Sequence, residues 1–447
     1  MAAALDPAWL EELSQLLRIP SISADASHHE DVVRAAEWVR DFVRAAGGQC
    51  ELVDSASSPR PLVVGELRAS ANADSAPTVL VYGHFDVQPP APLDQWESDP
   101  FEPTIRGEWL YARGVADDKG QLYLLLKAAS LLAAEGALPV NVRVACDGEE
   151  EVGGHAIVDW IGEDERGADA CVIFDAHQPK RGRPAFYIAT RGLCYFHVRV
   201  RTGGRDLHSG SFGGAALNAT HALMQMLSGV MPRDGRLPEP LRTGLVPPTE
   251  EELADWASQQ PGAEVLSGQG ARPADAKAAE EFYLRTWGEP SLDVHGVEGG
   301  SPQLQKTVIA ALAGANLSIR LAPGQHPDEI GPKLEQLLRD SAPEGAEVEA
   351  ALWSSTPPGL VSPDSDAIRL GQDAFERALG VRPLLLRSGG SIPIVSALSD
   401  REIPAIVTGF DLPDGNLHSP NERFLLEHFP LGVAAARELY TGLAGLG

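Results

Sequence analysis

Apolar residues follow two different periodicities in the first half of the chain. Between residues 28 and 47 they recur at the three- and four-residue spacing of an amphipathic helix, and a glycine pair ends the pattern. Short apolar runs rich in β-branched residues follow, at 78–84 (TVLVYGH), 140–145 (VNVRVA) and 170–174 (ACVIF). Helical patterns lie between these runs, at 119–135 and 154–161. This alternation predicts an α/β fold with a mixed, largely parallel sheet flanked by helices.

The pattern changes after Arg191. The new elements are a strand at 194–202, a helix at 215–227, a Pro-, Gly- and acid-rich stretch from 231 to 300, a strand at 315–322 and a helix at 327–339. Two strand-helix units of this kind predict a smaller α/β sandwich inserted into the first domain. We expect a discontinuous catalytic domain over 1–190 and 356–447 and an inserted domain over 191–355. A chain of 447 residues is long enough for both.

Charge excludes several classes of partner, and cysteine usage indicates a compartment. Lys and Arg total 36 against 63 Asp and Glu, a net charge of −27 that argues against binding to nucleic acid or to anionic membranes. The four cysteines form no CxxC pair, which favours a reducing cytoplasm. The most apolar long stretch, 122–134, contains Lys127 and is too short to span a bilayer.

Metal-type side chains stand at or just after the predicted strands. In chain order they are His84, Asp117, Glu151, Asp175 and His418, and Glu150 directly precedes the third. Open α/β sheets bind ligands beyond the carboxyl ends of their strands, so these residues can converge. Two cations could share one of these carboxylates, and each could have two further ligands of its own. With one more carboxylate left for proton transfer, such a site would be that of a two-metal hydrolase. Asp86 can orient the imidazole of His84, because alternate residues of an extended segment share a face.

Each part of this pattern has an ordinary explanation when it is taken alone. His84 and Asp86 could be a surface pair, Asp117 could be a helix N-cap, and 149–151 could be a solvated run of charge. His418 could be a loop histidine. The order of all five residues at the strand ends favours the metal site.

Four motifs in the chain resemble those of the two-metal family of dipeptidases, aminoacylases, desuccinylases and glutamate carboxypeptidases. They are GHFDVQP at 83–89, RGVADDKG at 113–120, EEVGG at 150–154 and DLHSG at 206–210. Three further motifs make the chain most similar to the cytosolic nonspecific dipeptidase and carnosinase branch. These are PSLDVHG at 290–296, SIRL at 318–321 and GGSIP at 389–393. The resemblance covers nearly the whole chain.

The resemblance implies a role for each candidate residue of the metal site. Asp117 would bridge two metals, with His84 and Asp175 on one and Glu151 and His418 on the other. Glu150 would be the general base that takes a proton from the attacking water. The peptide bond after Asp117 would be cis.

The resemblance also implies that the inserted domain is a lid and dimerisation domain. The chain would be a homodimer in which His208 reaches the partner's site and stabilises the oxyanion, while Arg320, Gly390 and Ser391 would hold the substrate carboxylate. The segment 308–311 (VIAA) departs from the family pattern, because it lacks an expected proline.

The predicted activity is hydrolysis of dipeptides by a metal-dependent peptidase. Nitrogen and oxygen ligands suit Zn²⁺, and Mn²⁺ or Co²⁺ would also fit. One alternative is deacylation of N-acyl amino acids, of the acetylornithine or succinyl-diaminopimelate type, although such relatives have a shorter inserted domain. A second alternative is a metal-binding homologue without catalysis, which would have no use for Glu150.

Overall fold

A computed structural model describes residues 5–301, 303–390 and 392–446. Its α-helices are α1 (Pro7–Leu17), α2 (His29–Ala45), α3 (Lys119–Ala134), α4 (Ala156–Glu163), α5 (Ser209–Phe212), α6 (Ala219–Val230), α7 (Glu250–Ala257), α8 (Gly262–Gly268), α9 (Pro327–Asp340), α10 (Asp366–Leu379), α11 (Pro393–Asp400) and α12 (His428–Leu443). Short 3₁₀ turns lie at Ala26–His28, Leu93–Gln95, Glu150–Val152, Glu239–Arg242 and Ala444–Leu446, and a π-helical turn at Leu284–Gly288.

Strands make up the other regular elements. They are β1 (Gln49–Ser55), β2 (Ser58–Leu67), β3 (Thr78–His84), β4 (Thr104–Arg106), β5 (Trp109–Tyr111), β6 (Asn141–Asp147), β7 (Ala170–Phe174), β8 (Ala185–Thr190), β9 (Gly192–Arg201), β10 (Leu207–His208), β11 (Ser291–Glu298), β12 (Val308–Ile309), β13 (Leu312–Leu321), β14 (Glu347–Thr356), β15 (Leu384–Ser388), β16 (Ala405–Thr408) and β17 (Arg423–Leu425). Contacts divide the chain into a first unit, 5–188, Val361–Leu386 and 397–446, and a second unit, Ala189–Leu360 and Arg387–Ser396.

A six-stranded sheet forms the centre of the first unit, in the order β1-β2-β6-β3-β7-β16. β3 runs parallel to β6 and β7, and β16 runs parallel to β7, whereas β1 and β2 are antiparallel at one edge. Nearly every residue of β3, β6 and β7 is buried, as expected for parallel strands with both faces covered. The predicted mixed, largely parallel α/β sheet is confirmed.

A small three-stranded sheet joins distant parts of the first unit. β17 pairs antiparallel with β5, so that Arg423 lies opposite Tyr111, and β5 pairs with β4. The residues that follow β5 therefore run beside the residues that precede β17. This pairing positions the loop that carries Asp117 next to the loop that carries His418.

The second unit contains a four-stranded antiparallel sheet in the order β11-β13-β9-β14. Residues alternate along β9 between buried and more exposed positions, and the buried ones pack with α6 and α9 around one core. β10 and β12 form a separate two-stranded sheet, in which His208 lies opposite Val308. The segment 308–311 is well bonded without the expected proline, since Ala311 N donates to Asp206 Oδ1 at 3.0 Å.

The Pro-, Gly- and acid-rich stretch after residue 231 is more regular than its composition indicates. It contains α7, which begins with a capping box in which Thr249 and Glu252 bond each other's backbone amides. It also contains α8 and the edge strand β11. In the part of the chain that the structure describes, every helix falls short of the length and apolar character that crossing a membrane requires.

Candidate metal centre

The carboxyl ends of three neighbouring strands carry the first part of the site. β3 ends at His84, which lies opposite Asp147, the last residue of β6. Glu150 and Glu151 follow β6 in a 3₁₀ turn, and Asp175 comes directly after β7. Because parallel strands end at the same edge of a sheet, the chain direction brings these side chains together.

Asp117 lies just before α3 and approaches two histidines with its two carboxylate oxygens. Oδ1 of Asp117 is 3.0 Å from His84 Nε2, and Oδ2 is 2.9 Å from His418 Nε2. The same nitrogen of His418 is 3.2 Å from Glu151 Oε2. One carboxylate therefore connects the edge of the main sheet with the loop before β17.

The ligand-type atoms form two groups that share Asp117. His84, Asp117 and Asp175 make one group, and Asp117, Glu151 and His418 make the other, with one atom per residue lying within 4.8 Å of the others. Three nitrogen or oxygen ligands leave a position for water or substrate on a tetrahedral cation. The residues fit two divalent cations with a common carboxylate, and the grouping is the one that the resemblance implies. Their assignment as ligands stays a prediction.

Carboxylates favour positive charge on both imidazoles. Hydrogen bonds to Asp117 and Glu151 raise the pKa of His418 to about 10. Burial disfavours the charged form of His84, but hydrogen bonds to Asp117 and Asp86 outweigh burial and raise its pKa well above the usual value. Burial opposes ionisation of Asp117 as well, yet the two histidines hold its pKa below the usual range. A cluster that attracts protons this strongly has the electrostatics of a cation site, and a bound cation would displace those protons.

Asp86 and Gln88 hold two of the ligand-type residues in place. Asp86 Oδ1 lies 3.3 Å from His84 Nδ1, and its Oδ2 accepts a hydrogen bond from Glu151 N at 3.2 Å. Gln88 Nε2 donates to Glu151 Oε2 at 2.9 Å. Gln88 was not predicted to belong to the site, although residues 84, 86 and 88 alternate along one extended segment and so share a face.

The peptide bond between Asp117 and Asp118 is cis, as the resemblance implies. Asp118 is buried, and its Oδ2 accepts a hydrogen bond from His84 N at 3.1 Å. Gly83 lies beside this carboxylate, and a Cβ atom there would come within 2.6 Å of Asp118 Oδ2. Glycine at this position therefore allows the approach of Asp118 to the end of β3.

Glu150 is part-buried and lies in a negative environment. Burial raises the pKa of its carboxyl group; His84 lowers it, and the charges of Asp117 and Glu151 raise it further. The adjacent Glu149 differs, because it is bonded to Ser58, to Arg60 and, at 3.1 Å, to Ala156 N. Of these neighbouring glutamates, Glu149 bonds to its surroundings, and the role of Glu150 as the general base stays a prediction.

The second unit contains His208, predicted to stabilise the oxyanion, and Arg320 and Gly390, predicted to bind the substrate carboxylate. His208 is exposed and caps α5 by accepting a hydrogen bond from Gly210 N at 3.1 Å. Arg320 is part-buried on β13, opposite Ser291 of β11. Gly390 is exposed, and Ser391 lies outside the described residues. The roles of these residues stay predictions.

Arg191, which was also not predicted, donates hydrogen bonds to the turn at Gly390. Its backbone N donates to Gly390 O at 3.0 Å, and its Nε donates to Gly389 O at 3.1 Å. Its Nη1 donates to Ser291 Oγ, also at 3.1 Å. Burial and the neighbouring charge of Arg320 lower the pKa of Arg191 to about 10. Two guanidinium groups thus lie in one region of the second unit, beside the turn predicted to bind a carboxylate.

An α/β sheet that presents imidazoles and carboxylates in two groups with a common aspartate has the arrangement of side chains that a two-metal hydrolase requires. The chain belongs to Peptidase family M20/M25/M40, whose sequence profile matches residues 80–441. The predicted membership of the two-metal peptidase family is thereby confirmed.

Known proteins similar to this chain include a metallodipeptidase, a carnosine dipeptidase and a metallo-carboxypeptidase. The Cys-Gly metallodipeptidase dug1 of Schizosaccharomyces pombe is 29% identical over 446 residues, which cover 95% of this chain and 93% of the relative. The crystal structure of human carnosine dipeptidase 1 superposes with a TM-score of 0.71 at 26% identity, covering 98% of this chain and 96% of that one. An M20 family metallo-carboxypeptidase from Sulfolobus solfataricus superposes with a TM-score of 0.79 at 25% identity, covering 98% and 100% of the two chains. The predicted similarity to the dipeptidase and carnosinase branch is confirmed.

Proposed function

We propose that the protein is a metal-dependent dipeptidase that hydrolyses the peptide bond of unblocked dipeptides. The observation that carries the proposal is the sharing of Asp117 between two three-residue groups at the carboxyl edge of the sheet. The similarity to the Cys-Gly metallodipeptidase and to carnosine dipeptidase supports a dipeptide as the substrate.

Two divalent cations would be held by the residues of the two groups. His84, Asp117 and Asp175 would hold one, and Asp117, Glu151 and His418 the other. Bound cations of this kind lower the pKa of water and polarise the scissile carbonyl. We favour Zn²⁺ because of the mixed imidazole and carboxylate donors, and Mn²⁺ and Co²⁺ also suit them.

Glu150 would carry the proton during the reaction. Its carboxylate takes a proton from the attacking water and returns it to the nitrogen of the leaving amine. The position of Glu150 supports this role, since it lies directly before Glu151 and outside the two groups, so its carboxylate is left for proton transfer. Asp86 would keep the ring of His84 oriented through the 3.3 Å contact with Nδ1.

The second unit would recognise the free carboxylate of the substrate. Arg320 offers a planar guanidinium, which binds a carboxylate through two parallel hydrogen bonds. Arg191 adds a second positive charge and fixes the turn at Gly390. We propose further that the chain is a homodimer, in which the exposed His208 reaches the partner's site and donates to the oxyanion.

We also propose a reducing compartment, the cytoplasm, as the location of the protein. All four cysteines are unpaired and buried. Buried thiols of this kind pack as small apolar side chains. A net charge of −27 fits a small-molecule substrate better than nucleic acid or an anionic membrane.

Two other substrate classes are tested together with dipeptides. An N-acyl-amino-acid deacylase would also need a group that binds the substrate carboxylate. The structural similarity to a metallo-carboxypeptidase favours longer peptides as a second candidate. The purified protein, stripped with a chelator and reloaded with Zn²⁺, Mn²⁺ or Co²⁺, is assayed on dipeptides, tripeptides, longer peptides and N-acetyl or N-succinyl amino acids. We expect metal-dependent cleavage with dipeptides as the best substrates. Preference for acylated amino acids would replace the proposal, and no metal-dependent cleavage in any class would favour a non-catalytic homologue.

A further inference from the structure

Glu422 is a buried carboxylate whose bonding partners lie in the loop that ends at Asp117. Its Oε2 accepts hydrogen bonds from Arg113 Nη1 at 2.6 Å and from Gly114 N at 2.9 Å. Its Oε1 accepts from Ala116 N at 2.9 Å and from Asp117 N at 3.2 Å. The exposed fraction of the Glu422 side chain is 0%, so water does not compete for these bonds.

The loop is shaped to surround an anion. Gly114 has φ of +82°, a left-handed conformation that glycine adopts without strain and that helps to turn successive amides toward one point. The two oxygens of a carboxylate provide acceptor sites for all four donors. Hydrogen bonds to an ionised acceptor are about twice as strong as neutral ones. The conformation of the loop therefore depends on the two acceptor oxygens of Glu422.

Glu422 also lies on the segment that carries the other end of the site. It directly precedes β17, and its carbonyl oxygen accepts a hydrogen bond from Ala112 N at 3.3 Å. His418 lies a few residues earlier on the same segment. Asp117 and His418 are far apart in sequence, so local structure cannot set the 2.9 Å distance between Asp117 Oδ2 and His418 Nε2. The bonds of Glu422 connect the two segments directly.

We propose that Glu422 is a positioning residue for the metal centre. Its carboxylate holds the loop 113–117 so that Asp117 can take part in both three-residue groups at once. The inference rests on the proposed function, because it takes those groups as metal sites. A residue that binds only one of the two metals would behave differently from Glu422. Loss of such a ligand weakens mainly one site, whereas loss of Glu422 weakens both, although its side chain is not expected to touch either metal.

The substitution Glu422→Gln tests this role with almost no change in volume. The amide NH₂ group would face backbone N–H donors where the carboxylate accepted from them, and the loop would lose its anion. Removal of a group that orients a metal ligand typically lowers metal affinity by about 10- to 100-fold. We expect a loss of this size for both metals. Competition with a chelator, elemental analysis of Zn²⁺-loaded protein and the visible spectrum of the Co²⁺-loaded protein measure it without an activity assay.

Control variants separate positioning from stability of the fold. Glu422→Gln leaves the buried Arg113 without its carboxylate, which by itself destabilises a protein. The double variant Arg113→Met/Glu422→Gln removes that charge and should regain thermal stability without regaining metal affinity. Asp164→Asn breaks the ion pair with the buried Arg143, at 2.8 Å in the same unit, and should lose stability while both metals bind as in the wild type.

The outcomes distinguish this inference from the proposed function. Reduced affinity at both sites in the single and the double variant, with Asp164→Asn unaffected, supports the positioning role. Wild-type affinity for two metals and an unchanged Co²⁺ spectrum in either folded Glu422 variant overturns it. A wild-type protein that binds fewer than two cations overturns the proposed function, and this inference falls with it.

Discussion

Replacement of Glu150 by glutamine should have opposite effects on turnover and on stability. The substitution keeps the size of the side chain and removes its ability to carry a proton. General acid and base assistance contributes roughly 10²- to 10⁴-fold to a rate, so we expect kcat to fall by at least about 10²-fold. This fall corresponds to about 2.7 kcal/mol in the activation free energy. Both metals should still bind, because Glu150 lies outside the two three-residue groups.

Stability of the chelator-treated protein should rise in the same variant. Burial raises the pKa of Glu150, and Asp117 and Glu151 add repulsion that His84 only partly offsets. A carboxyl group whose pKa is raised by folding destabilises the folded state once the pH exceeds its unfolded value, about 4.3, and increasingly so as the pH rises through the folded pKa. Glutamine removes this penalty. The melting temperature of the variant should exceed that of the wild type near neutral pH, and the difference should vanish below about pH 4.

A steady-state assay on a dipeptide and thermal melts across pH measure both effects. Glu149→Gln is the matched control, since Glu149 bonds Ser58, Arg60 and Ala156 N, and its loss should reduce stability while kcat stays close to normal. Turnover within tenfold of the wild type in Glu150→Gln would refute the assignment of the base. A lower melting temperature at neutral pH would refute the electrostatic argument.

Three further predictions concern the metals, the partner subunit and the substrate. Asp117→Ala should lose both metals in elemental analysis, whereas alanine at either histidine ligand should weaken mainly one; a single metal in fully active wild type contradicts the shared carboxylate. Mixing inactive His208→Ala chains with inactive Glu150→Gln chains should restore part of the activity, because some heterodimers would contain one intact site. No recovery after verified subunit exchange would count against a site completed by the partner. Arg320→Lys should raise KM for free dipeptides about tenfold, as one of two parallel hydrogen bonds is lost, and should affect amidated dipeptides far less. Equal cleavage of free and amidated dipeptides by the wild type would exclude the carboxylate anchor.

The sequence reveals elements best where one physical effect dominates. β3 and β7 have the bounds predicted from their apolar runs, because both faces of these strands are buried and few polar residues interrupt them. α7 was missed because its surroundings are acidic and rich in proline and glycine. The sequence does contain one feature that predicts where this helix begins, the capping box of Thr249 and Glu252. Glu252 is in addition buried against Arg387, at 2.6 Å, a contact that no local pattern could indicate.

Residues of the candidate site were predictable when their side chains are chemically distinctive. The histidines and aspartates predict a metal site through their order along the chain, although only His84 and Asp175 lie at strand ends, whereas Asp117 and His418 lie in loops. Glu422 and Arg191 were missed because their partners are mainly backbone amides and carbonyls. The pairing of β17 with β5 brings Glu422 to its partners across more than half the chain, and residue types do not reveal that pairing.

The order of the segments along the chain affects how the centre is assembled during synthesis. The residues of the first group, His84, Asp117 and Asp175, have all left the ribosome once the residue after β7 has emerged. His418 follows roughly 240 residues later, which at 5 to 20 residues per second is a delay of roughly 12 to 50 seconds. β16, the partner of β7, is also made in that interval, so the edge of the sheet stays open while the inserted unit is synthesised. Glu422, whose carboxylate accepts hydrogen bonds from the backbone amides of Ala116 and Asp117, is made only after that interval. The loop that ends at Asp117 therefore lacks these bonds until the last part of the chain has been synthesised.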